Sequence, residues 1–503
     1  MFNLVKNELI KIFSKKAIYV ILIIYLVLSI AGMALTKFIE NLDIDSFYID
    51  MQLEFEQDYL NQIDKSTEEG KQIYSMTQSE IEYLELQKKY GEDSWQSRVI
   101  SEELYDIIMD INYYKNGLNM YISNPDLSLE ELQAEYDSII QKLDIGDWKS
   151  FSSESLTEAK QQLELNEDLI KAVTEINMAN SIRQEIDLLK IQIQVLEWRL
   201  EKDICYGDDD FDDLLTQYES YSSYIIYTNY DNDINENNYK EKESKDFDYY
   251  EKIEYQNMLS RLNIAKYKIE NDITSNTTVS DSLQELFTNG GTGLLFVLIM
   301  AIMLTGTVIS DEFNRGTIKL LLVRPYSRRK ILASKLIACL IALIIAILII
   351  TAIEVVFSGF TYGFDTINVP AIIYNYNTNS IVTMNVFVYM FINLLKVFPL
   401  IMILALVAFM IGTLSANTAV SIVVSFLLYF VSSIVQQLVT LFQVKWFMFV
   451  PTLNWDLTQY SYGSLPPIQG MTLWLSIVIC LVTIISILIT TFEVFVRKNI
   501  KNV

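Results

Sequence analysis

Two apolar runs, roughly 294–309 and 332–357, stand on either side of SDEFNRGTIKLLLVRPYSRRKILASKL, residues 310–336. Each run approaches the roughly 20 residues that a helix needs to cross a hydrocarbon core. The stretch between them carries Arg315, Lys319, Arg324, Arg328, Arg329, Lys330 and Lys335. Basic residues collect in short loops on the cytoplasmic side of a membrane, so this stretch orients the chain. Gly316 is able to end the incoming helix in a left-handed conformation, and Thr317 to cap a new one whose apolar side is Ile318, Leu321 and Leu322. Pro325 then stops that helix. Asp311 and Glu312 oppose the dipole at the helix end unless a cation such as Arg315 pairs with them.

Further apolar runs predict six spans in all, at 17–37, 291–310, 332–357, 384–412, 419–439 and 471–496. Residues 1–16 form an amphipathic helix with Phe2, Val5, Leu9 and Ile12 on one face, suited to the headgroup plane. Residues 311–331 make the cytoplasmic loop and 497–503 a cytoplasmic tail, with both termini on the cytoplasmic side of a bacterial plasma membrane. The expected outer parts are 38–290, the loop 358–383 and the aromatic stretch 440–470. The last of these carries Trp446, Phe449 and Trp455, as interfacial helices do.

The formal net charge of −25 is distributed unevenly. The acidic excess lies in 38–290, and the remainder is net basic. Such a field disfavours nucleic acid and is able to concentrate cationic peptides, although it also serves solubility alone. Within this part, Ile182, Ile186, Leu189, Ile193, Leu196 and Leu200 recur at steps of four and three, a coiled-coil-like seam in a helical stretch over 163–200. Residues 206–248, rich in Asp, Asn and Tyr, read as loop. The run DDDFDD at 208–213 suits calcium no better than water, and the loop opened by Asp231, Asp233 and Asn235 has Glu236 in place of the needed Gly and Lys242 in place of the bidentate acid.

There is no histidine, which excludes Ser-His-Asp triads and His metal sites, and no metal site is expected. Of the three cysteines only Cys205 lies outside the apolar spans, so no disulfide staples the acidic part. No Gly-x-x-x-x-Gly-Lys-Ser/Thr sequence occurs, so the chain has no recognisable site of its own for ATP.

The order Glu312, Gly316-Thr317, Leu320-Leu321, Pro325, Ser327-Arg328 and Lys335 resembles the cytoplasmic signature of type-2 ATP-binding-cassette (ABC) exporter permeases. NELIKIFSKK, residues 7–16, resembles the elbow helix that opens those permeases. The likeness covers 1–37 and 294–503. It implies an all-α membrane protein with six transmembrane helices, here with a large, mainly helical extracellular insert. It also implies that the hairpin is a coupling helix docking on a separate ATPase subunit, which binds ATP and Mg. Glu312, Arg315, Gly316, Thr317, Leu321, Pro325, Arg328 and Arg329 would serve that contact. The chain itself would be non-catalytic and paired with a second permease copy or paralogue. The cargo expected from relatives is an amphipathic or antimicrobial peptide, with a lipid-linked glycan as a weaker candidate. A receptor-like sensor, whose outer part detects a peptide and relays a signal, is the alternative.

Lys396 is the one basic residue deep in an apolar span. Lys396 costs about 2.5–3.5 kcal/mol mid-helix, so it should face a cavity or a partner; Glu354 is the candidate partner, and Lys396 and Glu354 form either a structural pair or a contact in the translocation path. Pro399 reads as a kink. Glu493 with Arg497, and Glu8 with Lys11, are spaced for helical pairs, and the resemblance brings Glu8 towards the coupling region.

Overall fold

The computed structural model describes residues 1–39, 44–91, 94–207, 211–242, 247–274, 278–288, 290–318 and 326–498. The chain forms two compact units, one of Met1–Lys37, Glu236–Ser260 and Thr277–Val503, the other of Phe38–Asn235 and Arg261–Asn276.

Among the described residues of the first unit, six helices are long and apolar enough to cross a membrane. They are Lys16–Ile39, Thr292–Asn314, Arg328–Tyr362, Val386–Ser415, Thr418–Phe442 and Leu473–Arg497, the first to sixth spans. The chain is therefore a multi-pass, mainly helical membrane protein. Polar side chains start four of the helices. Ser327, Asn385, Asn417 and Thr472 each accept a backbone N–H of the first turn, which would otherwise be unsatisfied.

The second span is the most buried of the six and lies against the third, fourth and fifth. Its close packing depends on small residues. A Cβ on Gly412 would stand 2.7 Å from the Gly306 carbonyl oxygen, and one on Gly306 would stand 2.7 Å from Ser421 Oγ. Ser421 donates to the Ala408 carbonyl at 2.5 Å, so the second and fourth spans meet backbone to backbone and the fifth joins them through the Ser421 side chain. The third span, at 35 residues, is roughly 52 Å long and overruns a core of roughly 30 Å at its ends.

The stretch 358–383 is more than a loop. Ala371–Asn375 (β1) and Ser380–Met384 (β2) pair antiparallel, with Ile373 opposite Val382, and the β-branched and aromatic residues of both explain the preference. The turn between them places Asn379 in the left-handed region, which asparagine tolerates. In 440–470, Trp446 and Phe449 are exposed as interfacial residues should be, but Trp455 is buried in the core. Residues 236–260, acidic by composition, pack with the spans. Lys240 Nζ donates to the carbonyls of Tyr376 and Gly463 at 3.0 and 3.3 Å, and Tyr249 donates to that of Pro466 at 2.9 Å. The packing boundary thus departs from the change in composition.

The second unit is helical. The stretch 163–200 is not one helix but parts of two, Trp148–Ala172 and Ile176–Lys202, broken at residues 173–175. Lys160 pairs with Glu197 and Lys149 with Asp203, so the helices run antiparallel, and Ile182, Ile186, Ile193 and Leu196 of the seam are buried. The expected loop at 206–248 contains a helix, Asp212–Asn232. Leu214, Leu215, Tyr218, Ser222 and Ile225 make its buried face, and Asp212 and Asp213 favour its first turn. Asp208, Asp209 and Asp210 of the acidic run lie outside the described residues. Asp212 accepts from the buried Arg199 and from the Gly207 N–H, so it is engaged in the fold.

Candidate functional site

The short helix Phe2–Phe13 buries Leu4, Val5, Glu8 and Ile12, while Phe2 is exposed. The apolar face expected around Phe2, Val5, Leu9 and Ile12 is rotated, and the rotation turns a carboxylate inward. Its partner is Lys335, about two turns into the third span. Lys335 Nζ lies 2.7 Å from Glu8 Oε2 and 3.1 Å from Glu312 Oε1. Its side chain is 1% exposed and that of Glu8 7%.

Around this centre, Lys11 stands 2.9 Å from Glu312 and 3.7 Å from Glu8, and Lys15 stands 2.7 Å from Asp311. Lys15 also donates to Thr307 Oγ1 at 3.0 Å. Three lysines and three carboxylates are thereby balanced on three elements that are remote in the chain. Asp311 and Glu312 ride the last turn of the second span because that helix runs to Asn314. The cations that offset their unfavourable position against the dipole are Lys11, Lys15 and Lys335, and the expected partner Arg315 is exposed.

Burying such charges is costly, and mutual attraction offsets the cost only when every charge has partners in good geometry. Here each does. A cavity of about 600 Å³ opens beside the cluster, lined by Lys11, Lys15, Asp311 and Glu312 on one side and by Ile21, Met300 and Leu304 on another. The cluster joins the N-terminal helix to the last turn of the second span and to the third span.

Gly316 ends the second span with φ of 70°, as its lack of a Cβ allows. Thr317 does not stand free as a cap, since its hydroxyl donates back to Glu312. Leu321 and Pro325 lie outside the described residues, as do the rest of 319–325. Arg328 donates to the carbonyls of Val496 and Lys498 at 2.9 and 3.0 Å, closing the C-terminal end of the sixth span. Lys498 in turn donates to the Thr413 and Leu414 carbonyls of the fourth span. Arg329 reaches Glu493 at 2.5 Å, and Glu493 also pairs with Arg497 at 3.2 Å, the helical spacing expected of them.

Lys396 and Glu354 are not brought together. Lys396 donates to Ser461 Oγ at 2.8 Å and lies 5.0 Å from the centre of the Tyr462 ring. Glu354 accepts from the Tyr25 hydroxyl at 2.8 Å. Pro399 lies inside the helix Val386–Ser415.

Sequence reasoning pairs Glu8 with Lys11 near the coupling region and sets Lys335 in the signature, but it does not join them with Lys15 and Asp311 in one cluster. Their signals were present. Glu8, Lys11 and Lys15 recur at steps of three and four, and Lys335 is a cation inside an apolar run.

A family described as a protein of unknown function, DUF2705, matches residues 264–501. The chain is also similar to two proteins of Bacillus subtilis (strain 168). It is 27% identical over 245 residues to "Uncharacterized protein YhcI", covering 48% of this chain and 76% of that one. It is 29% identical over 202 residues to "Uncharacterized membrane protein YdbK", covering 40% of this chain and 77% of that one. No solved structure matches it. The likeness to a membrane protein agrees with the six apolar helices and places the chain among multi-pass membrane proteins.

Proposed function

We propose that this chain is the membrane subunit of an ATP-driven exporter of the type-2 ABC class. Under this reading the end that carries Arg328, Arg329 and Arg497 faces the cytoplasm, and 38–290 belongs outside. A separate ATPase subunit binds ATP and Mg, and a second permease copy or paralogue completes the path. Closure of the ATPases moves the loop 311–331, and the spans follow.

The observation that carries this reading is Lys335 held between Glu8 and Glu312. A push on the loop at Glu312 would be felt at once by the N-terminal helix and the third span, because all three share one buried charge. A receptor for such a push needs this linkage. The favoured cargo is an amphipathic cationic peptide, supported by the acidic excess of 38–290.

The test is to reconstitute the chain with its ATPase in nanodiscs and measure ATP hydrolysis against amphipathic peptides of equal length and graded charge. Stimulation that rises with positive charge supports peptide export. Hydrolysis indifferent to every peptide would remove the cargo assignment.

A further inference from the structure

A second cavity, of about 280 Å³, lies in the first unit far from the charge cluster. It adjoins Glu354, which follows Lys335 along the third span by roughly 28 Å at 1.5 Å per residue. Its lining includes Tyr25 and Ser29 of the first span, Phe296 of the second, and Glu354, Phe357 and Ser358 of the third.

The chemistry of this lining is one-sided. It holds a carboxylate and several hydroxyls but no Lys or Arg. Among the described residues Glu354 makes no ion pair, and its hydrogen bond is the one from Tyr25. Ser358 Oγ donates to the Glu354 carbonyl at 2.6 Å and Ser29 Oγ to the Tyr25 carbonyl at 3.0 Å. With their protons committed to the backbone, both hydroxyls face any ligand as acceptors. A half-buried carboxylate ringed by acceptors and aromatic faces suits a cation with N–H donors, and repels an anion. Leu28, 55% exposed, continues the lining on the first span, so an alkyl chain finds apolar surface beside the charge.

We propose that this cavity is a binding site for an amphiphilic primary amine, its ammonium on Glu354 and its alkyl chain along the first span. The site requires neither an ATPase nor nucleotide, so it stands or falls separately from the export reading.

The full-length chain in nanodiscs of phosphatidylcholine is photolabelled with a long-chain alkylamine carrying a diazirine, and the adducts are mapped by mass spectrometry. Adducts are expected within 25–33 or 354–362, competed by unlabelled decylamine but not by decanol, and reduced about tenfold or more in Glu354→Gln. Glu493→Gln is expected to label as the wild type does. Competition on the wild type needs no variant, so the result is informative even if Glu354→Gln misfolds. Lower labelling in discs containing phosphatidylethanolamine supports a lipid amine as the resident, and equal labelling supports a soluble one. Adducts elsewhere, or equal competition by decanol, would overturn the site.

Discussion

Lys335 Nζ stands 2.7 Å from Glu8 Oε2, joining two buried side chains that are 327 residues apart in sequence. The pair closes the N-terminal helix onto the third span, and Glu312 shares the same ammonium. Removing one member strands a carboxylate away from water. Lys335→Met should cost about 3–5 kcal/mol, whereas the double variant Glu8→Gln with Lys335→Met should recover part of the loss. Thermal unfolding of the four proteins in one detergent gives the coupling. Additive losses would contradict a shared buried pair.

Gly412 sits where a Cβ would come within 2.7 Å of the Gly306 backbone oxygen. A backbone atom cannot turn aside as a flexible side chain can. Gly412→Ala should therefore separate the second and fourth spans and lower stability by about 1–3 kcal/mol. An unchanged melting temperature would show that these spans have slack.

Arg328 and Arg329 are neighbours with different duties. Arg328 satisfies two carbonyls at the end of the sixth span, so Arg328→Ala should destabilise the protein by about 1–3 kcal/mol. Arg329 is exposed and its pair with Glu493 is worth roughly 0–1 kcal/mol, so Arg329→Ala should melt as the wild type does. If Arg329 docks the ATPase, that variant should still reduce transport coupled to hydrolysis. Normal coupling in Arg329→Ala would remove it from the contact.

Asp456 caps the helical turn that starts at Leu457, accepting from the Thr458 N–H at 2.9 Å. Burial pushes its carboxyl above the usual range, and the bonds from Thr458 oppose the shift only in part. A raised folded value means that the fold holds the proton more tightly than the unfolded chain. Its stabilising contribution is complete below about pH 4, the unfolded value, and is lost as pH rises through the folded value. Asp456→Asn should flatten stability against pH above about 4. Identical pH profiles of wild type and variant, followed by tryptophan fluorescence, would contradict this.

The apolar helices were legible because a run of some 20 apolar residues has few other uses. Gly316 was legible too, since its left-handed φ is a local property. What sequence could not supply was rotation and partnership. The inward turn of Glu8 depends on Lys335, more than 300 positions away, and no local periodicity records it. Glu354 and Lys396 invited pairing as the prominent charges in apolar runs, yet Tyr25 and Ser461, both unremarked, hold them. The helix Asp212–Asn232 was hidden by Tyr and Asn, whose propensities are middling, until packing on Ile176–Lys202 decided it. The β-hairpin was masked in the same way by the apolar composition around it.

The central claim is that this chain works with a nucleotide-hydrolysing partner through the loop beside Glu312. The most direct measurement is to purify the tagged chain from its native membrane in mild detergent, identify what stays bound by mass spectrometry, and assay ATP hydrolysis. The account predicts a stoichiometric ABC ATPase and a hydrolysis rate that falls in Glu312→Gln. A chain that purifies without any ATPase and without hydrolysis would contradict it.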